Sequence, residues 1–288
     1  MSFEERMLAR MATGIENRDP HALAMLRTLE PGHAKIVGIT GAPGAGKSTL
    51  VDALATALRR QGKTLAILAV DPTSGISGGA ILGDRIRMQQ HHADPGIFIR
   101  SMATRGSLGG LARATADLVQ LMDAAGKDYV LIETVGVGQA EIAIASLAQV
   151  TVVVLVPGMG DDVQAIKAGI LEIADIFAIN KSDQPGADRV ERELEAMLSL
   201  TNGRKPAIVK TVATTGEGVA DLLEAVQSAP NRSATVRERS IPIHVTHLND
   251  ALALFQSAGA QIQPGPEGHI LIEPPPGVIL ELIEEAAK

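Results

Sequence analysis

The sequence predicts a doubly wound α/β domain on a mostly parallel sheet, with N-terminal helices before it and a small C-terminal α+β module after it. Seven apolar, β-branched runs recur along the chain, helix-period segments separate most of them, and a glycine-rich turn opens the first such segment. Runs that are apolar throughout, rather than alternating, belong to strands covered on both faces, which is the parallel-sheet arrangement.

Residues 1–34 read as an N-terminal helical segment, with amphipathic stretches at 3–17 and 20–29 meeting at Asp19-Pro20. Strands are expected at 35–40, 65–71, 97–102, 129–134, 150–157, 176–182 and 207–213, all inside one domain spanning 35–228. The polar motifs of the chain fall at the carboxyl ends of these strands, where sheets of this kind bind their ligands. Residues 229–240 lose all periodicity and read as a linker. Beyond them 241–288 reads as a β-α-β-β module, with strands at 241–245, 269–272 and 278–283 and a helix at 249–258.

With 288 residues, 45% of them hydrophobic, the chain can bury one substantial core and a small accessory unit. The longest apolar stretch, 147–156, is too short to span a bilayer, and residues 1–10 mix acids and bases. A cytoplasmic protein without membrane contact is expected. Zero cysteines exclude disulfides, thiolate metal sites and catalytic thiols. A net charge of −7 with one Tyr, four Phe and no Trp speaks against nucleic acid as partner, since neither basic patches nor stacking platforms are present.

Gly41-Ala42-Pro43-Gly44-Ala45-Gly46-Lys47-Ser48-Thr49 lies between the first strand and a helix-period segment, where a phosphate-binding loop must sit. Its glycines let consecutive backbone N–H groups turn toward a β-phosphate. Lys47 brings a point charge to the β and γ oxygens, and Ser48 offers its hydroxyl to Mg²⁺. A plain strand-to-helix turn would not need Lys and Ser at those places, so the domain is expected to be a P-loop NTPase. The fourth run ends in Glu133-Thr134-Val135-Gly136, an acid and a glycine placed to hold Mg²⁺ or its water and to sense a γ-phosphate. After a later strand comes Asn180-Lys181-Ser182-Asp183. The Asp183 carboxylate can accept from N1–H and the N2 amine of guanine, whereas adenine has no N1 proton and would leave the charge unpaired. Ala213-Thr214-Thr215-Gly216 can supply N–H groups to guanine O6, or serve as an ordinary helix cap before Glu217. GTP is the expected nucleotide.

Between the phosphate loop and Glu133 lie Asp71-Pro72-Thr73-Ser74-Gly75-Ile76-Ser77-Gly78-Gly79-Ala80-Ile81-Leu82-Gly83-Asp84-Arg85, then Phe98-Ile99-Arg100-Ser101 and Arg105-Gly106-Ser107-Leu108-Gly109-Gly110. Much of this is switch-loop composition. With Glu133 to Glu141, with Gly158-Met159-Gly160-Asp161-Asp162, and from Arg6 through about Val226, the chain closely resembles the MeaB/ArgK family. These are the GTPases associated with methylmalonyl-CoA mutase and other adenosylcobalamin-dependent acyl-CoA mutases. The resemblance implies a protein that binds GTP and Mg²⁺, docks on the mutase, gates adenosylcobalamin loading and protects or replaces damaged cofactor. No cobalamin site of its own is identified. The implied catalytic set is Lys47, Asp84, Glu133 and Lys167, and the implied metal set is Ser48, Asp71, Asp84 and Glu133. Carboxylates gathered beside a triphosphate need a divalent cation between them, which supports Mg²⁺. A third switch loop is implied at 158–167, and Lys167 is the candidate moving charge, because one helical turn could bring it near Glu133 or the phosphates. Asp161 and Asp162 read equally well as an ordinary helix start. Val137 stands directly after the sensing glycine, where Ras-like GTPases keep the water-orienting Gln, so hydrolysis by the free protein should be slow.

Thr73, Ile76, Ser77 and Ala80 replace residues more usual in the family's switch segment, and the family's helical dimer arm has no counterpart in 241–288. That module instead faintly resembles half of a vicinal-oxygen-chelate unit, the fold of methylmalonyl-CoA epimerase, over fewer than fifty residues. Glu281 stands at that fold's metal carboxylate, but Ser240 replaces its His, so a docking or dimerising module, possible in a homodimer, is expected instead of a metal site. His91-His92 read as surface residues. Metal-insertion GTPases remain an alternative that lacks a Cys cargo site here. A P-loop small-molecule kinase would not need Asn180 to Asp183, and a binding module with little turnover is a third reading.

Overall fold

The computed structural model describes residues 3–71, 91, 94–103, 108–134, 147–158, 173–199, 205–231 and four C-terminal strands at 241–245, 261–264, 270–273 and 280–284. The chain divides into two compact units, Met1–Arg232 and Ser233–Lys288.

In the first unit, helices α1 (Phe3–Glu16) and α2 (Pro20–Arg27) precede the sheet. Asp19 separates them because its carboxylate caps α2, accepting from His21 N at 2.8 Å and Ala22 N at 3.0 Å, while Pro20 takes the first turn, where its missing N–H costs nothing. The strands are β1 (Lys35–Gly41), β2 (Leu65–Asp71), β3 (Ile97–Ala103), β4 (Tyr129–Thr134), β5 (Val150–Leu155), β6 (Ile176–Asn180) and β7 (Ala207–Thr211). They form one sheet in the order β3-β2-β4-β1-β5-β6-β7, with every neighbouring pair parallel. This is the doubly wound sheet expected from the continuous apolar runs. Strands β5, β6 and β7 end two residues short of the expectation, and at β6 the cause is local. Lys181 takes a left-handed φ of 55°, which turns the chain out of the sheet.

Helices α3 (Lys47–Arg60) and α6 (Val219–Ser228) cover one face, over Val37, Ile39, Leu131, Val152 and Val154. On α3 the residues Leu50, Leu54 and Leu58 recur every fourth position and are almost fully buried, so truncating any one to Ala would cost about 2–5 kcal/mol. The other face is covered by α1, α2 and α4 (Leu108–Ala124) on one side and by α5 (Ala187–Ser199) on the other. Polar clasps hold the N-terminal helices down. Arg100 of β3 makes a two-pronged pair with Glu16 at 2.8 and 2.6 Å, and Asp123 accepts from Gly32 N and Ala34 N at 2.9 and 2.7 Å. One residue after Ala34, Lys35 Nζ donates to the carbonyls of Gln227 and Ala229, and burial lowers its pKa.

One expectation is corrected here. His91 is buried, not a surface residue, and its Nε2 lies 2.9 Å from Asp52 Oδ1 on α3. Three residues on, Asp94 grips Arg59 of the same helix through two bonds of 2.9 Å. His92 lies outside the described residues.

The second unit is a four-stranded sheet in the order β8-β11-β10-β9, made of β8 (Ile241–Val245), β9 (Gln261–Pro264), β10 (Ile270–Glu273) and β11 (Leu280–Glu284). The β8/β11 pair is parallel and the other two are antiparallel. The sequence reading foresaw three of these strands and missed β9. The helix expected at 249–258 lies outside the described residues.

Candidate functional site

β1 sits between β4 and β5, so the carboxyl ends of these three strands and of β6 converge on the turn that leaves β1. That turn is the glycine-rich loop. Gly41, Gly44 and Gly46 have φ of 138°, 79° and 86°, values that L side chains rarely adopt. Space forbids a side chain as well. A Cβ on Gly41 would fall on the Val154 carbonyl, and one on Gly46 would come within 2.5 Å of Asn180 Nδ2. Gly46 is also the N-cap of α3, which has neither a side-chain cap nor an acid in its first turn. The positive end of a 14-residue helix is left for an anion.

Three side chains converge on the phosphate end. Lys47 is 5% exposed and its Nζ donates to the carbonyls of Gly41 and Ala42 at 2.7 and 2.8 Å, lying along the loop itself. Ser48 Oγ is 2.5 Å from Glu133 Oε1, and Glu133, at the end of β4, is 4% exposed. The serine's only proton is committed to the carboxylate, so its lone pairs face the other way. A hydroxyl and a carboxylate so arranged form a hard oxygen donor set that suits Mg²⁺. Asp71 is the last residue of β2, two beyond Ala69, which pairs with Glu133. Asp84, Lys167, Gly136 and Val137 lie outside the described residues.

The N-K-x-D segment reaches the same loop from β6. Asn180, 2% exposed, donates from Nδ2 to Ala45 O at 2.9 Å, and its Oδ1 accepts from Thr211 Oγ1 at 3.2 Å and Ala213 N at 3.1 Å. Lys181 Nζ donates to Gly44 O at 2.9 Å. One amide thus joins the phosphate loop to the segment 213–215, and an ammonium spans the same gap. Sequence reading proposed both residues for nucleotide binding and missed this bracing. Asp183, Thr214 and Thr215 are exposed beyond it. Sequence reading also gave no role to Thr40 and Thr134, whose hydroxyls bond each other at 3.0 Å beneath the loop. The only sequence signal was a threonine near the end of each of the two strands.

A seven-stranded parallel sheet with this loop between its central strand and α3 defines a P-loop NTPase. The profile of the family described as "Methylmalonyl Co-A mutase-associated GTPase MeaB" matches residues 8–240. A putative GTPase of Pyrococcus horikoshii is 53% identical over 232 residues, covering 78% of this chain and 73% of that protein. The mitochondrial methylmalonic aciduria type A homolog of Mus musculus is 41% identical over 198 residues, covering 66% and 48%. A crystal structure of a LAO/AO transport system kinase superposes with a TM-score of 0.62 at 28% identity, covering 77% of this chain and 70% of that one. The chain belongs to the MeaB family of GTPases. No described helix is long and apolar enough to cross a membrane.

Proposed function

We propose that this GTPase hydrolyses GTP to GDP and phosphate as the timing step in loading, protecting and reactivating the adenosylcobalamin of an acyl-CoA mutase such as methylmalonyl-CoA mutase. The family description and the name of the mouse relative support the client. The bracing of a single phosphate loop from both sides supports the nucleotide: Ser48 bonds Glu133 across the sheet, and Asn180 and Lys181 bond Ala45 and Gly44 from the guanine-reading segment.

In this reading backbone N–H groups of the loop 41–49, Pro43 excepted, and the Lys47 ammonium hold the phosphates. Asp183 reads guanine, with the N–H group of Thr214 beside it, because Ala213 N and Thr215 N already donate to Asn180 Oδ1 and Val212 O. Ser48, Asp71, Asp84 and Glu133 would hold Mg²⁺, which neutralises charge developing on the γ-phosphate. Val137 cannot orient a water by hydrogen bonding, so the free protein is slow, and mutase docking supplies the missing geometry through 158–167 and Lys167. The module at 241–288 serves docking or dimerisation in a cytoplasmic complex. Linkage then requires that the GTP and GDP forms differ in affinity for the mutase.

Single-turnover hydrolysis with and without a cobalamin-dependent mutase tests this. The free protein should turn over at roughly 10⁻⁴ to 10⁻² per second, and the mutase should raise the rate about tenfold or more. A fast free rate, or no acceleration by any such mutase, removes the coupling. Equal use of ATP removes the guanine assignment.

A further inference from the structure

The last two residues of β4 face opposite sides of the sheet, and each meets a hydroxyl flanking the phosphate loop. On the α3 side Glu133 accepts from Ser48. On the far side Thr134 Oγ1 donates to Thr40 Oγ1 at 3.0 Å, and the two threonines are 0% and 1% exposed. Their neighbours on that side, Ile132, Val70, Leu68 and Val153, are apolar and buried. Valine has almost the same shape, suits a strand equally well and carries no hydroxyl to desolvate, so packing alone would favour it at both positions. What the hydroxyls add is direction. The backbone pairing of β1 with β4 runs from Lys35 and Tyr129 to Ile39 and Glu133, and the threonine pair lies one residue beyond it. There the two side chains fix the relative height of the strands, between Glu133 on one and Gly41, the first loop residue, on the other.

We infer that Thr40 and Thr134 are a positioning pair that holds the Glu133 carboxylate on Ser48, and so sets how tightly the phosphate end of the site takes a divalent cation. The cation part of this rests on the GTPase reading above; the positioning part does not.

Two experiments separate them. In urea unfolding without nucleotide, Thr134→Val should leave Ser48 poorly held. Ser48→Ala should therefore cost clearly less stability in the Thr134→Val background than in wild type, since contacting groups couple. Additive costs overturn the pair's role, whatever the chain does with GTP. In GTP hydrolysis, Thr134→Val should raise the Mg²⁺ concentration giving half-maximal rate about fivefold, roughly the worth of one hydrogen bond, with KM for GTP nearly unchanged at saturating Mg²⁺. Thr134→Ser should restore the wild-type value. An unchanged Mg²⁺ requirement, or a KM that rises in step with it, overturns the inference. A wild type without GTP turnover would sink the functional reading, leaving the unfolding cycle to decide the pair.

Discussion

The phosphate end and the base end of the site are built on different principles. At the phosphate end Lys47 and Glu133 are buried and already engaged by neighbouring groups of the chain. At the base end Asp183, Thr214 and Thr215 are exposed, while Asn180 and Ala213 behind them are buried. A buried charge must be satisfied in every state, so the phosphate end is pre-organised and answers mainly to charge. The exposed end carries the choice of base, because the Asp183 carboxylate stands in water until a ligand covers it.

The sharpest break should come from Lys47→Ala. Losing this ammonium should weaken GTP and ATP alike by about 100-fold or more, read by titration calorimetry. A loss confined to GTP would show that the phosphate end also reads the base. Next, Asp183→Asn should weaken GTP about 10- to 100-fold and improve xanthosine triphosphate, whose C2 oxygen accepts where guanine's amine donates. Unchanged GTP affinity would move base readout away from Asp183. A smaller effect tests the joint between the ends: Asn180→Ala strands Ala45 O and Ala213 N, and should cost about 2 kcal/mol of stability in urea while weakening both phosphate and base contacts. The smallest effect lies outside the site. The hydrogen bond from Arg59 holds the Asp94 carboxyl below its usual range, so the pair stabilises the fold above the unfolded carboxylate pKa and loses that contribution as pH falls through the lower folded value. Asp94→Asn should therefore cost under about 1 kcal/mol at neutral pH, and the gap to wild type should narrow as acid protonates Asp94 in the folded state. A gap that widens in acid would reverse the sign of that linkage.

The sheet was legible because it rests on local pattern: apolar runs with a motif at each end mark β1 to β7 to within two residues. β9 was not, since Gln261-Ile262-Gln263-Pro264 is short, polar at alternate positions and closed by a proline. What failed at the site was non-local. His91 looked exposed because its partner, Asp52, lies on a helix far earlier in the chain. The N-K-x-D pattern announced a ligand for guanine, but nothing in it shows that Asn180 fastens the phosphate loop, which depends on β6 lying two strands from β1.

Strand order also bears on how the chain is made. Lys35 pairs with Tyr129, a separation of 129 − 35 = 94 residues, and the other neighbour of β1 begins later still, at Val150. At synthesis rates of about 5–20 residues per second, the ribosome exposes the central strand and its glycine loop for roughly 5–20 s before either neighbour exists. During that interval Val37 and Ile39, fully buried in the finished fold, lack the strands that bury them. The loop that defines the protein is thus translated well before the strands that hold it.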